Sequence, residues 1–318
     1  MTHEPVLLTR ILDFLLAAGF ADKTARIADC TLGLGGYSEE ILRVFPNAQV
    51  CAMDRDLRAV ELSGARLLDY ASRFKALHGN FGKVGKLLGG FAPFDALVFD
   101  LGVSNMQLAE AERGFSFQND GPLDMRMDPQ DGGPHGGNKT AADAVNTLSA
   151  DDLAEIFWVY GEERFSRRIA RGIDERRKRV GPLKTTGELV ELIREVLPAP
   201  VQRKMGGHPA RRVFQALRIY VNDELGELES ALASIKEISS PGALVAIVSY
   251  HSLEDRIVKH TFRAWEKEEK WGDVLTKHPV LPDSDEIERN YKARSAKLRI
   301  FRFLSERSQL SRGGRGND

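Results

Sequence analysis

Apolar runs of strand length, each closed by Gly, Asp or Asn, recur through the first hundred residues with helical patterns between them, and this alternation restricts the chain to a parallel sheet flanked by helices. The runs are ARIADCT (25–31), QVCAMD (49–54), FKALHG (74–79) and FDALVFDLG (94–102); helices are expected from Ser38 to about Phe45 and near 56–71. Right-handed βαβ crossovers follow from that order. The rhythm breaks over 103–140, where Gly, Pro and Asp crowd together and a long functional or partly mobile loop is expected. From Thr140 to about Glu195 the period is helical, punctuated by Gly181, Pro182, Pro198 and Pro200. One amphipathic helix is expected through Leu217, Val221, Leu225, Leu228, Leu232, Ile235 and Ile238, stopped by Pro241-Gly242. Strand ALVAIVS (243–249) resumes the sheet, and the alternation in AKLRIFRF (296–303) predicts a final, half-exposed antiparallel strand. The chain thus reads as an α/β, Rossmann-like sheet domain, discontinuous over 1–105 and 213–318, with 106–212 inserted as a loop plus helical subdomain.

With 318 residues, 42% hydrophobic and 29% charged, the chain can bury a sizeable core and is not of disordered composition. No export signal and no run of 18 apolar residues is read, so a cytoplasmic protein is expected. The two cysteines, Cys30 and Cys51, lie in apolar strands away from histidine, so neither a metal site nor a disulfide is expected. The net charge of −1 hides a segregation: residues 151–218 hold 15 Lys/Arg against 10 Asp/Glu, and 289–318 hold 9 against 2. Two basic stretches on an acidic body suit a phosphate-bearing partner, although solvated helix faces would give the same balance.

DCTLGLGGYS (29–38) sits between the first strand and a helix, where a glycine turn lets backbone approach a nucleotide-like ligand. Gly33, Gly35 and Gly36 remove the obstructing Cβ atoms, but the third glycine of a dinucleotide fingerprint is replaced by Ser38, which favours a ligand without pyrophosphate. Asp54, at the end of the second strand, is placed to accept from both hydroxyls of a ribose. Phe81, past the third strand, can cover an adenine or simply pack in the core. Asp100 ends the fourth strand, nearest the ligand crevice of such sheets.

Five blocks, HEPVLL (3–8), DCTLGLGGYS (29–38), DLGVSNMQL with ERGFSFQNDGPLDMRMD (100–128), YGEERFSRRIA (160–170) and HPARRVFQALRIYVNDEL through VSYHSLEDRIVK (208–259), together with RSAKLRI (294–300), span most of the chain. Through them the sequence resembles the RsmH/MraW family. The resemblance implies a class I methyltransferase sheet and methyl transfer from S-adenosylmethionine to the N4 amine of a decoding-centre cytidine in 16S ribosomal RNA of the small subunit, without metal or membrane. It places cofactor contacts on Gly35, Gly36, Tyr37, Asp54, Phe81, Asp100 and Gln107. Tyr37 stands where the family commonly has histidine, and SNMQ (104–107) departs from the usual Ser-Ser-Pro-Gln while keeping its glutamine.

A cytosine amine is a weak nucleophile, so Asp100, or a main-chain carbonyl of the loop from Gly102 to Gln107, is expected to accept from it as the bond forms. A cytidine drawn from its stack needs an apolar slot and cationic grips. Arg113, Phe115 and Phe117 offer the slot, unless the phenylalanines only anchor the insertion. His208, Arg211, Gln215 and Arg218, with Arg212 beside them, fall at helical spacing and offer the grips, unless they pair with acids. His251 and Arg256 are further RNA candidates, while Ser252 and Asp255 fit a helix capping box. The rival readings are a nicotinamide oxidoreductase, disfavoured by the missing glycine; a non-catalytic RNA-binding assembly factor, disfavoured by the pair Asp54 and Asp100; and a DNA amino-methyltransferase, disfavoured by the absent Pro-Pro motif.

Overall fold

In the computed structural model, which describes residues 5–130 and 138–305, seven strands form one sheet: β1 (Arg26–Asp29), β2 (Gln49–Asp54), β3 (Phe74–His78), β4 (Phe94–Asp100), β5 (Ser239–Ser249), β6 (Gly272–Val274) and β7 (Lys297–Phe303). The order is β3-β2-β1-β4-β5-β7-β6. The first five are parallel to one another, while β7 is antiparallel to both β5 and β6. The order reverses between β1 and β4, which opens a crevice at the carboxyl ends of those strands.

Both faces of the sheet are covered, which is why the central strands read as continuous apolar runs. Ile27, Ala96, Val98, Leu244 and Val248 face one buried cluster with Ile11, Ile41 and Val50. Their neighbours along the strands, Ala28, Leu97, Phe99, Val245 and Ile247, face the other with Met53, Leu228 and Phe262. Cys30 and Cys51 are buried free thiols.

The described residues divide into two compact units, one reaching Gly102 and resuming at Leu225, the other Val103–Glu224. The second unit is helical. Its helices Ala141–Thr147, Ala150–Val159 and Thr186–Val196 each begin on a capping box, Thr140 with Asp143, Ser149 with Asp152 and Thr185 with Glu188, which satisfies amide donors that the first helical turn leaves unpaired. Pro198 and Pro200, read from sequence as stops, instead start the short helix Ala199–Lys204. The expected loop contains the helix Asn105–Ala109 and a 3-10 turn at Ala111–Arg113. Residues 131–137 of that loop and the basic tail beyond 305 lie outside the described residues, as do His3 and Glu4.

Three expectations need correction. The amphipathic helix expected over 217–238 is two helices, Arg211–Asn222 and Glu224–Ile238, separated at Asp223, whose φ of 50° is left-handed. Val213, Phe214, Leu217 and Val221 belong to the core of the helical unit, whereas Leu228, Leu232 and Ile235 belong to that of the sheet. The units therefore exchange near 224 rather than at 212. Second, β7 is not half-exposed, because both its edges are paired and Arg299 is buried at 5% exposure. Its guanidinium is matched to Asp255 at 2.6 Å and 3.3 Å, as a buried charge requires. Third, the helix Ser252–Lys267 is capped by His251 with Glu254, one residue earlier than Ser252 with Asp255.

Candidate active site

Glycine builds the turn after β1. Leu32 donates to the Met53 carbonyl in β2 (2.9 Å), and Gly35 donates back to Leu32 (2.8 Å). Gly33 and Gly35 take left-handed φ values of 51° and 80°, which cost other residues about 1 kcal/mol or more. A Cβ on Gly35 would approach Leu67 to 3.2 Å, whereas one on Gly33 would stand in open space. Gly35 caps the helix Gly36–Val44.

Asp54 ties this turn to β2: Oδ2 accepts from the Gly33 amide (2.7 Å) and Oδ1 from the Asp56 amide (2.8 Å). Ser63 donates to the Gly33 carbonyl (2.6 Å). Two more carboxyls end the neighbouring strands. Asp29, fully buried at the end of β1, accepts from Ser38 Oγ (2.7 Å) and the Thr31 amide (3.3 Å). Asp100 ends β4; its amide donates to Thr31 Oγ1 (2.6 Å), and its Oδ1 accepts from the Tyr250 hydroxyl (2.7 Å) just beyond β5.

Burial governs the electrostatics of all three. It pushes Asp29 up to about 6 against the bond from Ser38. It pushes Asp54 up to about 6 against the amides of Asp56 and Gly33. It pushes Asp100 up to about 7, opposed by Tyr250 and reinforced by the charges of Asp29 and Glu254. Anionic groups crowded at one sheet edge are relieved by a cationic ligand, and a carboxylate beside an exposed glycine turn suits a diol. The residues present therefore fit a sulfonium nucleoside.

Sequence reasoning singled out Asp54 and Asp100 but not Asp29, Thr31 or Tyr250, and read Ser38 only as the residue in place of a third glycine. A polar residue ending an apolar strand was the available signal for Asp29. Tyr250 is 150 residues from Asp100 and only strand pairing brings it near. Of the other sheet-unit candidates, Phe81 opens a 3-10 turn after β3 with its half-buried ring edge-on to Phe99 at 6.1 Å. The Tyr37 side chain is 4% exposed and its hydroxyl donates to the Val6 carbonyl, so its main chain is what remains for a ligand. His251 serves as a helix cap, and Arg256 is exposed on the same helix.

In the helical unit, several expected RNA or cofactor contacts are used by the fold. Gln107 is buried and completes a capping box with Ser104. Arg113 donates to the carbonyls of Arg126 (3.2 Å) and Met127 (2.9 Å), and Phe115 lies in the unit's core. Arg212 donates to Glu162 O (2.8 Å), Gln215 to Tyr160 O (3.0 Å), and Arg218 makes a two-point ion pair with Glu224 (2.7 and 2.8 Å). Arg211 is exposed. Phe117 and His208 do meet: their rings stack at 4.6 Å and 15°, and they line a cavity of about 360 Å³ with Asn119, Asp120, Val190 and Arg194.

A sheet of this strand order, with a glycine turn after β1 and acids closing β2 and β4 beside the switch point, defines the class I, Rossmann-like methyltransferase fold. The sequence pattern of the MraW methylase family matches residues 1–304, and the chain belongs to that family. Its relatives include ribosomal RNA small subunit methyltransferase H of Carboxydothermus hydrogenoformans, 42% identical over 321 aligned positions covering 96% of this chain and 98% of the relative. The protein of the same name from a Cyanothece species is 47% identical over 276 positions, 87% of each chain, and that of Acaryochloris marina 45% over 286, 90% of each. No helix of the described residues is long and apolar enough to cross a membrane.

Proposed function

We propose that this methyltransferase moves the methyl group of S-adenosylmethionine to the N4 amine of a decoding-centre cytidine in 16S ribosomal RNA of the small subunit, in the cytoplasm. The observation that supports it best is the acid pair Asp54 and Asp100 on neighbouring sides of the Gly33 turn, in a chain whose relatives are named for small-subunit ribosomal RNA methylation.

When bound, the cofactor supplies an electrophilic methyl on a sulfonium. Gly33, Gly35, Gly36 and the main chain of Tyr37 admit it closely, Asp54 accepts from its ribose, and Phe81 covers its base. Asp100 faces the reacting region as an acceptor for the amine hydrogens, held in place by Tyr250. The segment 103–224 is read as the substrate-recognition part. There the stacked rings of Phe117 and His208 offer an aromatic surface against which a base can pack, and Arg211 a phosphate grip; within the sheet unit, Arg256 is a separate candidate grip. Alignment alone supplies up to about 7 to 11 kcal/mol of such a barrier, which suits a site where no strong base is required.

Labelled S-adenosylmethionine, the purified protein and undermethylated small subunits are expected to yield one labelled cytidine on mapping; label on protein or DNA instead overturns the substrate. Tyr250→Phe removes the hydrogen bond that favours ionised Asp100. The acid limb of its kcat/KM profile should therefore move to higher pH, with about a tenfold loss at neutral pH. An unmoved limb would detach Tyr250 from the reacting group.

A further inference from the structure

The helix Ser166–Arg179 carries two populations of cations. Those near its end are tied down: Arg176 contacts Glu188 (3.6 Å) and donates to Gly181 O (3.0 Å), while Arg177 and Lys178 pair with Asp174 (2.9 and 2.6 Å). Arg167, Arg168 and Arg171, with Arg164 just before the helix, are exposed and make no hydrogen bond or ion pair among the described residues. So does Arg179 at the far end. The opposite face, Ile169, Ala170 and Ile173, is buried in the unit's core, which fixes the arginine face outward. At 100° per residue, 167, 168, 171, 178 and 179 share one side of the cylinder, over an axial length of about 18 Å. Glu175 lies among them, and Asp174 lies at their edge, where it is taken up by Arg177 and Lys178.

Helix stability does not account for these side chains. The first turn holds no acid, and arginines at the positive end of the helix dipole oppose it, whereas the paired cations sit at the end where the dipole favours them. Unpaired guanidinium groups gathered where they cost the fold something are matched instead by external anions, and guanidinium forks suit phosphate oxygens. We infer that this arginine face of the helix Ser166–Arg179, with Arg164, holds the phosphate backbone of the RNA substrate. The inference rests on the RNA reading above. It moves the main electrostatic contact away from the stripe that ends in Gln215 and Arg218, whose side chains the fold already uses.

The test compares salt dependence of binding to protein-free small-subunit ribosomal RNA for the parent, for R164Q/R167Q/R168Q/R171Q, and for a charge-matched control, R10Q/R263Q/K267Q/K270Q, altered at exposed positions of the sheet unit. Each lost phosphate contact lowers the slope of log K against log salt by roughly 0.7 to 0.9. The arginine variant should therefore lose about 3 from the slope and roughly 100-fold in affinity near 0.1 M salt, with cofactor affinity and melting temperature unchanged. Its KM for RNA should rise while kcat at saturation holds. The control should keep the parent slope. An arginine variant with the parent slope, or a control that loses as much, overturns the assignment. A parent that neither binds RNA in a salt-dependent way nor methylates it defeats the RNA reading itself, a result recognisable before any variant is made.

Discussion

Asp100→Asn is expected to lower kcat for methyl transfer by about 10²- to 10³-fold, the usual loss when a preorganised electrostatic contact to the reacting group is removed. The substitution preserves size and the position at the end of β4, and an amide oxygen can still accept from Tyr250. It loses the negative charge and turns one acceptor into a donor, so both the attraction for a sulfonium and the acceptor for an amine hydrogen are weakened together. The sign of the pH dependence follows. Burial holds the Asp100 carboxyl up at about 7, and the proposed acceptor role requires its ionised form, so kcat/KM should fall tenfold per unit as pH drops below about 7. That limb should vanish in the Asn variant, while affinity for RNA stays level. An Asn variant within threefold of the parent would falsify the placement of Asp100 beside the reacting atoms.

Asp100 and Asp54 were legible because each is a charged residue closing an apolar strand, and a parallel sheet sends such residues to the same edge. The same logic reaches Asp29, but its strand reads on through Cys30 without a break, so its role appears only once Ser38 and Thr31 are seen bonded to it. What sequence periodicity could not show was where one regular pattern changes owner. The three-and-four spacing from Leu217 to Ile238 continues through Asp223 in phase, yet the left-handed residue there ends one helix and the cores on either side are different. The strand β6 spans three residues, too short for any period. The alternation in β7 was real, but period-two polarity cannot distinguish a solvated arginine from one buried against Asp255. Likewise, Gln215 and Arg218 have the spacing of a binding stripe, and only the partners supplied by Tyr160 and Glu224 reveal that the fold uses them.

Two glycines of the family blocks should respond to the same substitution in opposite ways, which separates a residue kept for the fold from one kept for the ligand. Gly114 sits at φ 71°, and a Cβ there would lie 2.2 Å from the Pro122 carbonyl oxygen and 2.7 Å from the Asp124 amide nitrogen. Those backbone atoms are held by the turn in which Asp124 donates to Pro122 (2.9 Å) and Met125 to Arg113 (3.0 Å), so no side chain can swing aside. Left-handed strain of about 1 to 2 kcal/mol then adds to an overpacking cost of about 1 to 3 kcal/mol. Gly114→Ala should consequently lose about 4 kcal/mol of stability, roughly 10 °C in melting temperature for a chain of this size, and most of its activity through unfolding. Gly33 has a similar φ of 51° but nothing within 4 Å of the added Cβ. Gly33→Ala therefore bears the strain alone, melts within a few degrees of the parent, and loses cofactor affinity because the methyl group occupies the crevice beside Asp54. Calorimetric melting and a cofactor titration on both variants distinguish them. If Gly114→Ala melted like the parent, the tight turn at 113–125 would be wrong, and if Gly33→Ala bound cofactor normally, the crevice would not lie where its open glycine points.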